Sequence, residues 1–192
     1  MMNKLPNNFE LDRYGLRVRL VNEDDVEFIV RLRTESYNSQ YLHSNGLTIE
    51  KQLLWMREYK ERELNGEDYY FIFLHGEQKV GVIRLYHIHE NDFHCGSWVF
   101  DDEIPPYCAL AGALIAREIA FNQLDKLIEL NNEDGIDSRN RNVQCFMKTL
   151  GLTLTGERYE GTIKYLVGVL NKEDFMNNKK KIIRFFPKEY QS

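Results

Sequence analysis

Between residues 14 and 21 apolar and polar side chains alternate, YGLRVRLV, and a half-buried strand is the element with this period of two. Asn22-Glu23-Asp24-Asp25 then supplies an N-cap with an acid three residues on, opening a helix that carries Val26, Ile29 and Val30 on one side. After the polar loop YNSQYLHSNG (37–46), Thr48 is placed to cap a second helix, with Ile49, Leu53, Met56 and Leu64 on one stripe and Asn65-Gly66 at its end. Three runs follow, YYFIFLH (69–75), KVGVIRLYHIH (79–89) and FHCGSWVF (93–100), separated by turns at Gly76 and Asn91-Asp92. They predict an antiparallel meander.

The segment 109–121 is apolar nearly all round, with only Arg117 and Glu118 charged, and predicts a helix sandwiched in the core. KLIELNN (126–132) reads as a strand, VQCFMKTLG (143–151) as a short helix stopped by Gly151, and TLTGERYE and TIKYLVGVL as two last strands. The C-terminal KKKIIRFFPKEY reads as an edge strand or a solvated tail. No repeat and no Pro- or Ser-rich linker interrupts the chain, so one domain over 1–192 is expected.

With 192 residues, 43% of them hydrophobic, the chain can bury a full core. A net charge of −5 argues against a nucleic-acid partner, whose phosphates need a basic face. No apolar run approaches the roughly 20 residues that span a bilayer, and MMNKLPNNFELDR has no signal-peptide core, so a cytoplasmic protein without a membrane partner is expected. Cys95, Cys108 and Cys145 are odd in number and widely spaced, which suggests reduced thiols rather than a disulfide framework or a zinc site.

The element order is similar to that of the GNAT acetyltransferases. GSWVF leads, six residues after Trp98, into a loop and helix; Ala120-Phe121 and Asn140, eleven residues before Gly151, fall at the spacing of the sub-group that resembles ribosomal-protein and amino-sugar N-acetyltransferases. The likeness covers residues 14–170, leaving 171–192 as a basic and aromatic extension. It implies an α/β (α+β) GNAT fold, a mixed, mostly antiparallel sheet of about seven strands flanked by about four helices. Two features depart from the family. Ile104-Pro105-Pro106-Tyr107-Cys108-Ala109 stands where an Arg-Gly-x-Gly-x-Ala loop usually cradles the coenzyme pyrophosphate, and Met147 stands where a tyrosine usually protonates the departing thiolate. Asn140-x-x-Val143-x-x-Phe146 with the proline loop resembles a smaller GNAT branch associated with surface-polysaccharide genes.

The resemblance implies acetyl-CoA as co-substrate, its carbonyl bound by backbone N–H groups near Trp98, Val99 and Phe100, and its pantetheine arm near Asn140 and Phe146. Proline suits the first helical position, so Pro106 there would leave the N–H groups of Tyr107, Cys108 and Ala109 free for a pyrophosphate. Alternatively, Asp101 to Glu103 cap that helix instead. Asn140 could equally form an Asx-turn in DSRN. Cys108 at a helix start is a nucleophile candidate, with a small core residue as the plainer role.

For the amine proton the chain offers histidines. Alternation puts His87 and His89 on one strand face, and a two-residue Asn91-Asp92 turn sets His94 across from His89. His94, two before Gly96 where related enzymes carry a glutamate base, is the first candidate base, with His89 and Glu90 behind it. A three-histidine zinc site lacks further ligands at firm spacing, so no metal is expected.

The expected activity is acetyl transfer to a small-molecule amine, with a nucleotide-linked amino sugar as leading acceptor. In that case Lys179 to Lys181 and Arg184 would meet its phosphate if the tail folds over the acceptor side. A protein N-terminus lying along the 37–46 loop is the competing acceptor. A binding module that has lost its coenzyme is the rival from another class, and a homodimer is left open.

Overall fold

The computed structural model describes residues 3–36, 41 and 46–191, apart from the side chains of 133 and 134. Eight strands form one sheet: β1 (Glu10–Arg13), β2 (Leu16–Leu20), β3 (Tyr69–His75), β4 (Gln78–Tyr86), β5 (Asp92–Phe100), β6 (Ile128–Asp137), β7 (Thr153–Glu160) and β8 (Ile163–Asn171). The spatial order is β1-β2-β3-β4-β5-β6-β8-β7. Every pairing is antiparallel except β5 with β6.

Helices α1 (Val26–Glu35) and α2 (Ile49–Asn65) cover one face of the sheet. Helices α3 (Tyr107–Glu118) and α4 (Arg141–Leu150) cover the other, with two short helices, α5 (Lys172–Asn178) and α6 (Lys180–Ile183), against α4. The capping signals act as their chemistry predicts. Asn22 Oδ1 accepts the N–H of Asp24 while Asp25 Oδ2 accepts that of Asn22, and the Thr48 hydroxyl accepts the N–H of Lys51. The buried face of α2 differs from the expected stripe. Ile49 and Leu64 are exposed, and Gln52, Met56, Tyr59 and Glu63 point inward. A glutamate can lie there because the Tyr59 hydroxyl and the Lys60 ammonium bond its carboxylate.

As its composition demands, α3 is buried on nearly every side, with Ala111 to Ala116 all inaccessible to solvent. Its approach to the sheet needs Gly112 and Gly81. A Cβ on either would lie 2.4 or 2.3 Å from the ring of Phe100, which fills the space between them.

The chain has one strand more than the sequence suggests, because Tyr14 and Gly15 turn with positive φ and let residues 10–13 pair with β2. The extension is neither edge strand nor solvated tail. It forms α5 and α6, and Phe175, Ile182 and Phe186 enter the core. Phe186 packs on Tyr14 and Tyr107.

Candidate active site

Strands β5 and β6 pair only at Asp92 with Ile128 and Phe93 with Glu129. Beyond these pairs β6 bonds β8 on its other edge, with a register break between Asn131 and Ile136. The edge of β5 from His94 to Phe100 therefore has no β6 partner among the described residues. Backbone donors in that position seek another acceptor. A cavity of about 630 Å³ occupies the opening.

β5 also carries a bulge here. Val82 pairs with Val99 and Arg84 with Gly96, which leaves Ser97 and Trp98 opposite Ile83. Ser97 takes φ +50°, and His87, just past the end of β4, takes φ +46°. Among the described residues four non-glycine side chains have positive φ, and these two line the cavity. Strained backbone at a concave surface is the usual mark of a working site.

Residues from both faces of the sheet line the cavity, and the two linings differ. On the α3/α4 face it is lined by Trp98, Phe100, Pro106, Ala109, Asn140 and Phe146. Trp98 packs on Phe146 at 4.8 Å between ring centroids. On the α1/α2 face it is lined by Arg33, Arg84, Tyr86 and His87, with Tyr41 beside them. The Arg84 guanidinium is held by the buried Asp68 carboxylate, which also takes Arg62, and lies over Trp55 and Tyr86. Arg33 donates to the Ser97 hydroxyl at 3.0 Å. Cys95, Arg117, Glu129 and Met147 also line the cavity. Burial pushes the Cys95 thiol up to about 12, so it rests protonated.

Five of the eight coenzyme-side candidates therefore come together in one wall: Trp98, Phe100, Ala109, Asn140 and Phe146. Val99 points to the α1/α2 core, so its side chain takes no part, and Tyr107 stacks instead on Tyr190 beside Phe186. Cys108 is buried in the core, the plainer of its two expected roles. The N–H of Cys108 is not free either, since it bonds the carbonyl of Pro105, and Pro106 is the N-cap of α3 rather than its first helical residue. The acids before the loop do not cap α3. Asp101 instead pairs with Arg31 at 2.7 Å and accepts the N–H of Glu103. Asn140 Oδ1 caps α4 by accepting the N–H of Val143 while the residue lines the cavity, so its amide NH₂ is the end that can serve a ligand.

The base candidates separate. β4 ends at Tyr86 because the chain turns at His87 and the N–H of Ile88 bonds the carbonyl of Glu67. Consequently His94 lies opposite Tyr86, not His89. His94 is buried, its ring 5.4 Å from that of Tyr86 and 5.3 Å from that of His87. His89 and Glu90 stay on the exposed turn, His89 bonding Asp92 at 2.8 Å, and neither lines the cavity. His87, named only as a strand-face neighbour, is the histidine that does. Among the described residues no three His, Cys, Asp or Glu side chains are grouped as metal ligands. The basic tail does not line the cavity either. Lys179 bonds Glu118 at 2.6 Å, Lys181 bonds Asn178, and neither they nor Arg184 line the cavity.

The acetyltransferase (GNAT) domain family matches residues 15–153. The chain belongs to the GNAT acetyltransferase family, and is an acyltransferase. No curated protein matches it by sequence. Among solved structures, apo FdhC, described as a nucleotide-linked sugar GNAT, superimposes with TM-score 0.78 at 31% identity, over 94% of this chain and 99% of that one. The ribosomal-protein-S5-alanine acetyltransferase of Vibrio fischeri superimposes with TM-score 0.70 at 13% identity, over 88% and 99%. RimJ of Mycobacterium smegmatis, in complex with CoA-disulfide, does so with TM-score 0.70 at 11% identity, over 96% and 92%. The last two share the fold. No helix among the described residues is long and apolar enough to cross a membrane.

Proposed function

We propose that this acyltransferase moves the acetyl group of acetyl-CoA to the amine of a nucleotide-linked amino sugar. The observation that carries the reading is the asymmetry of the cavity lining, largely apolar with Asn140 on the α3/α4 face and carrying Arg33 and Arg84 on the other. In a chain of net charge −5, two guanidiniums on one face select for an anionic acceptor. The likeness to a nucleotide-linked sugar GNAT over nearly the whole chain points the same way. The volume, about 630 Å³, suits the reacting ends of two ligands rather than the whole of both.

The donor enters along Ala109 and Phe146, its arm reaching the amide NH₂ of Asn140. The thioester carbonyl accepts from the unpaired edge of β5, and the amine arrives from the opposite face. His87 takes the proton that the ammonium must lose, with the buried His94 ring behind it to fix the imidazole. The pyrophosphate rests on fewer backbone donors than a glycine loop would give, because Pro105 and Pro106 have none.

The test is thiol release from acetyl-CoA with three acceptor classes: nucleotide-linked amino sugars, the same amino sugars without the nucleotide, and peptides with free N-termini. The reading requires the first class to be preferred in kcat/KM. His87→Gln should lower kcat by about 10²-fold. Equal use of free sugars, or preference for peptides, would overturn the acceptor assignment.

A further inference from the structure

The cavity lining holds a buried ion pair that nothing in the scheme above uses. Arg117, from α3, and Glu129, from β6, are each almost fully buried, with side-chain exposures of 4% and 2%. Nε and Nη2 of Arg117 each bond one carboxylate oxygen of Glu129 at 2.7 Å, and Nη1 bonds the carbonyl of Ala113 at 3.1 Å. That leaves one hydrogen on Nη1 and one on Nη2, and the Nη2 hydrogen faces the sulfur of Met147 at 3.2 Å. A thioether is a weak acceptor, so a charged donor in a cavity wall is here occupied by the poorest of partners. Replacing a buried pair of this kind by apolar residues is often neutral or stabilising, which makes it weak evidence of a purely structural role.

The location gives the pair its meaning. Arg117, Met147 and Cys95 lie on the α3/α4 side of the sheet, the side by which the donor enters, whereas Arg33, Arg84 and His87 lie on the acceptor side. Sulfur is the donor's atom and must come to rest on the donor's side. We propose that the departing sulfur takes the place of Met147 at the remaining Nη2 hydrogen of Arg117, whose guanidinium Glu129 fixes in plane, and is held there as the thiolate. The proposal rests on the reading of the opening as an acetyl-thioester site.

The step is balanced. The amine nitrogen bonds the carbonyl carbon, the carbon–sulfur bond breaks with its electron pair staying on sulfur, and the amine's proton leaves through His87 to solvent. Counted from the neutral amine, after the ammonium has given up its first proton, the products are the amide, the thiolate on Arg117 and one further proton. No acid at position 147 is needed, because a charge-assisted hydrogen bond takes the place of proton transfer.

The test needs no acceptor. Free coenzyme A is bound to the protein and its thiol titrated through thiolate ultraviolet absorbance, with desulfo-coenzyme A as blank, in the wild type, in Glu129→Gln and in Arg117→Met/Glu129→Gln. Glu129→Gln removes the charge that opposes thiolate and should lower the bound thiol's pKa. The double variant removes the donor as well and should raise it above the wild-type value by about one unit or more. A structural role predicts no shift of opposite sign in the two proteins. If the double variant fails to fold, Glu129→Gln alone decides: a lowered pKa supports the proposal and an unchanged one overturns it. Identical titrations in all three proteins overturn the role of Arg117 alone. A wild type that does not bind coenzyme A overturns the reading of the opening, and this proposal with it.

Discussion

Arg117 and Glu118 are neighbours on α3, both buried and both charged, yet they serve opposite sides of the molecule. Glu118 gathers the chain's two ends. It accepts from Arg13 Nε at 2.6 Å and the Tyr14 hydroxyl at 2.9 Å in the N-terminal hairpin, and from Lys179 at 2.6 Å in the C-terminal extension. Among the described residues Arg117 has one ionic partner, Glu129, and it lines a cavity. Burial pushes both carboxylates up. For Glu118 the bonds from Arg13 and Lys179 outweigh it and hold the group below the usual range, while for Glu129 burial wins over Arg117. A buried charge with three donors is a latch; one whose pair lines a cavity is available for chemistry.

The largest effect that would separate the two is on stability. Glu118→Gln leaves Arg13 and Lys179 without their carboxylate and should cost about 3 kcal/mol in urea unfolding. Arg117→Met/Glu129→Gln removes both charges together and should stay within about 1 kcal/mol of the wild type. A double variant as damaging as Glu118→Gln would make both pairs latches and erase the contrast.

Acid unfolding sharpens the comparison further. Because the folded value of Glu118 lies below its ordinary 4.5, its contribution is complete above that pH and fades as pH falls through the folded value. Glu129 has the opposite sign: its folded value lies above 4.5, so the folded protein gains protons before the unfolded chain and recovers part of the loss. Stability measured downward from pH 6 should therefore fall less steeply in Glu118→Gln, and more steeply in the Arg117/Glu129 double variant, than in the wild type. Equal slopes in all three would refute the assignment.

How far the sequence anticipates this can be read from the same residues. An apolar helix carrying only Arg117 and Glu118 as charges announces that both must find buried partners, but nothing in KLIELNN marks Glu129 as the one. Its partnership exists only because β6 returns beside β5. The meander, the two caps and the asparagine before α4 are local signals and were legible. The end of β4 was not. The alternation of YHIH runs on, while the backbone breaks at His87 through a positive φ and a bond from Ile88 to Glu67 that only the tertiary fold supplies. That break moves the cavity-lining imidazole from His94 to His87. KKKIIRFF, likewise, reads as a solvated run until Tyr14 and Tyr107 provide the surface that Phe186 covers.

The most direct measurement is calorimetric titration of the protein with acetyl-CoA, set beside Asn140→Asp. Aspartate keeps the oxygen that caps α4 but replaces the amide NH₂ with a negative oxygen, so it changes the ligand-facing end while sparing the helix. Binding by the wild type, weakened about tenfold or more in Asn140→Asp with unchanged thermal unfolding, is the predicted result. Equal affinity in the two proteins, or no binding to either, would contradict the placement of the donor between β5 and β6.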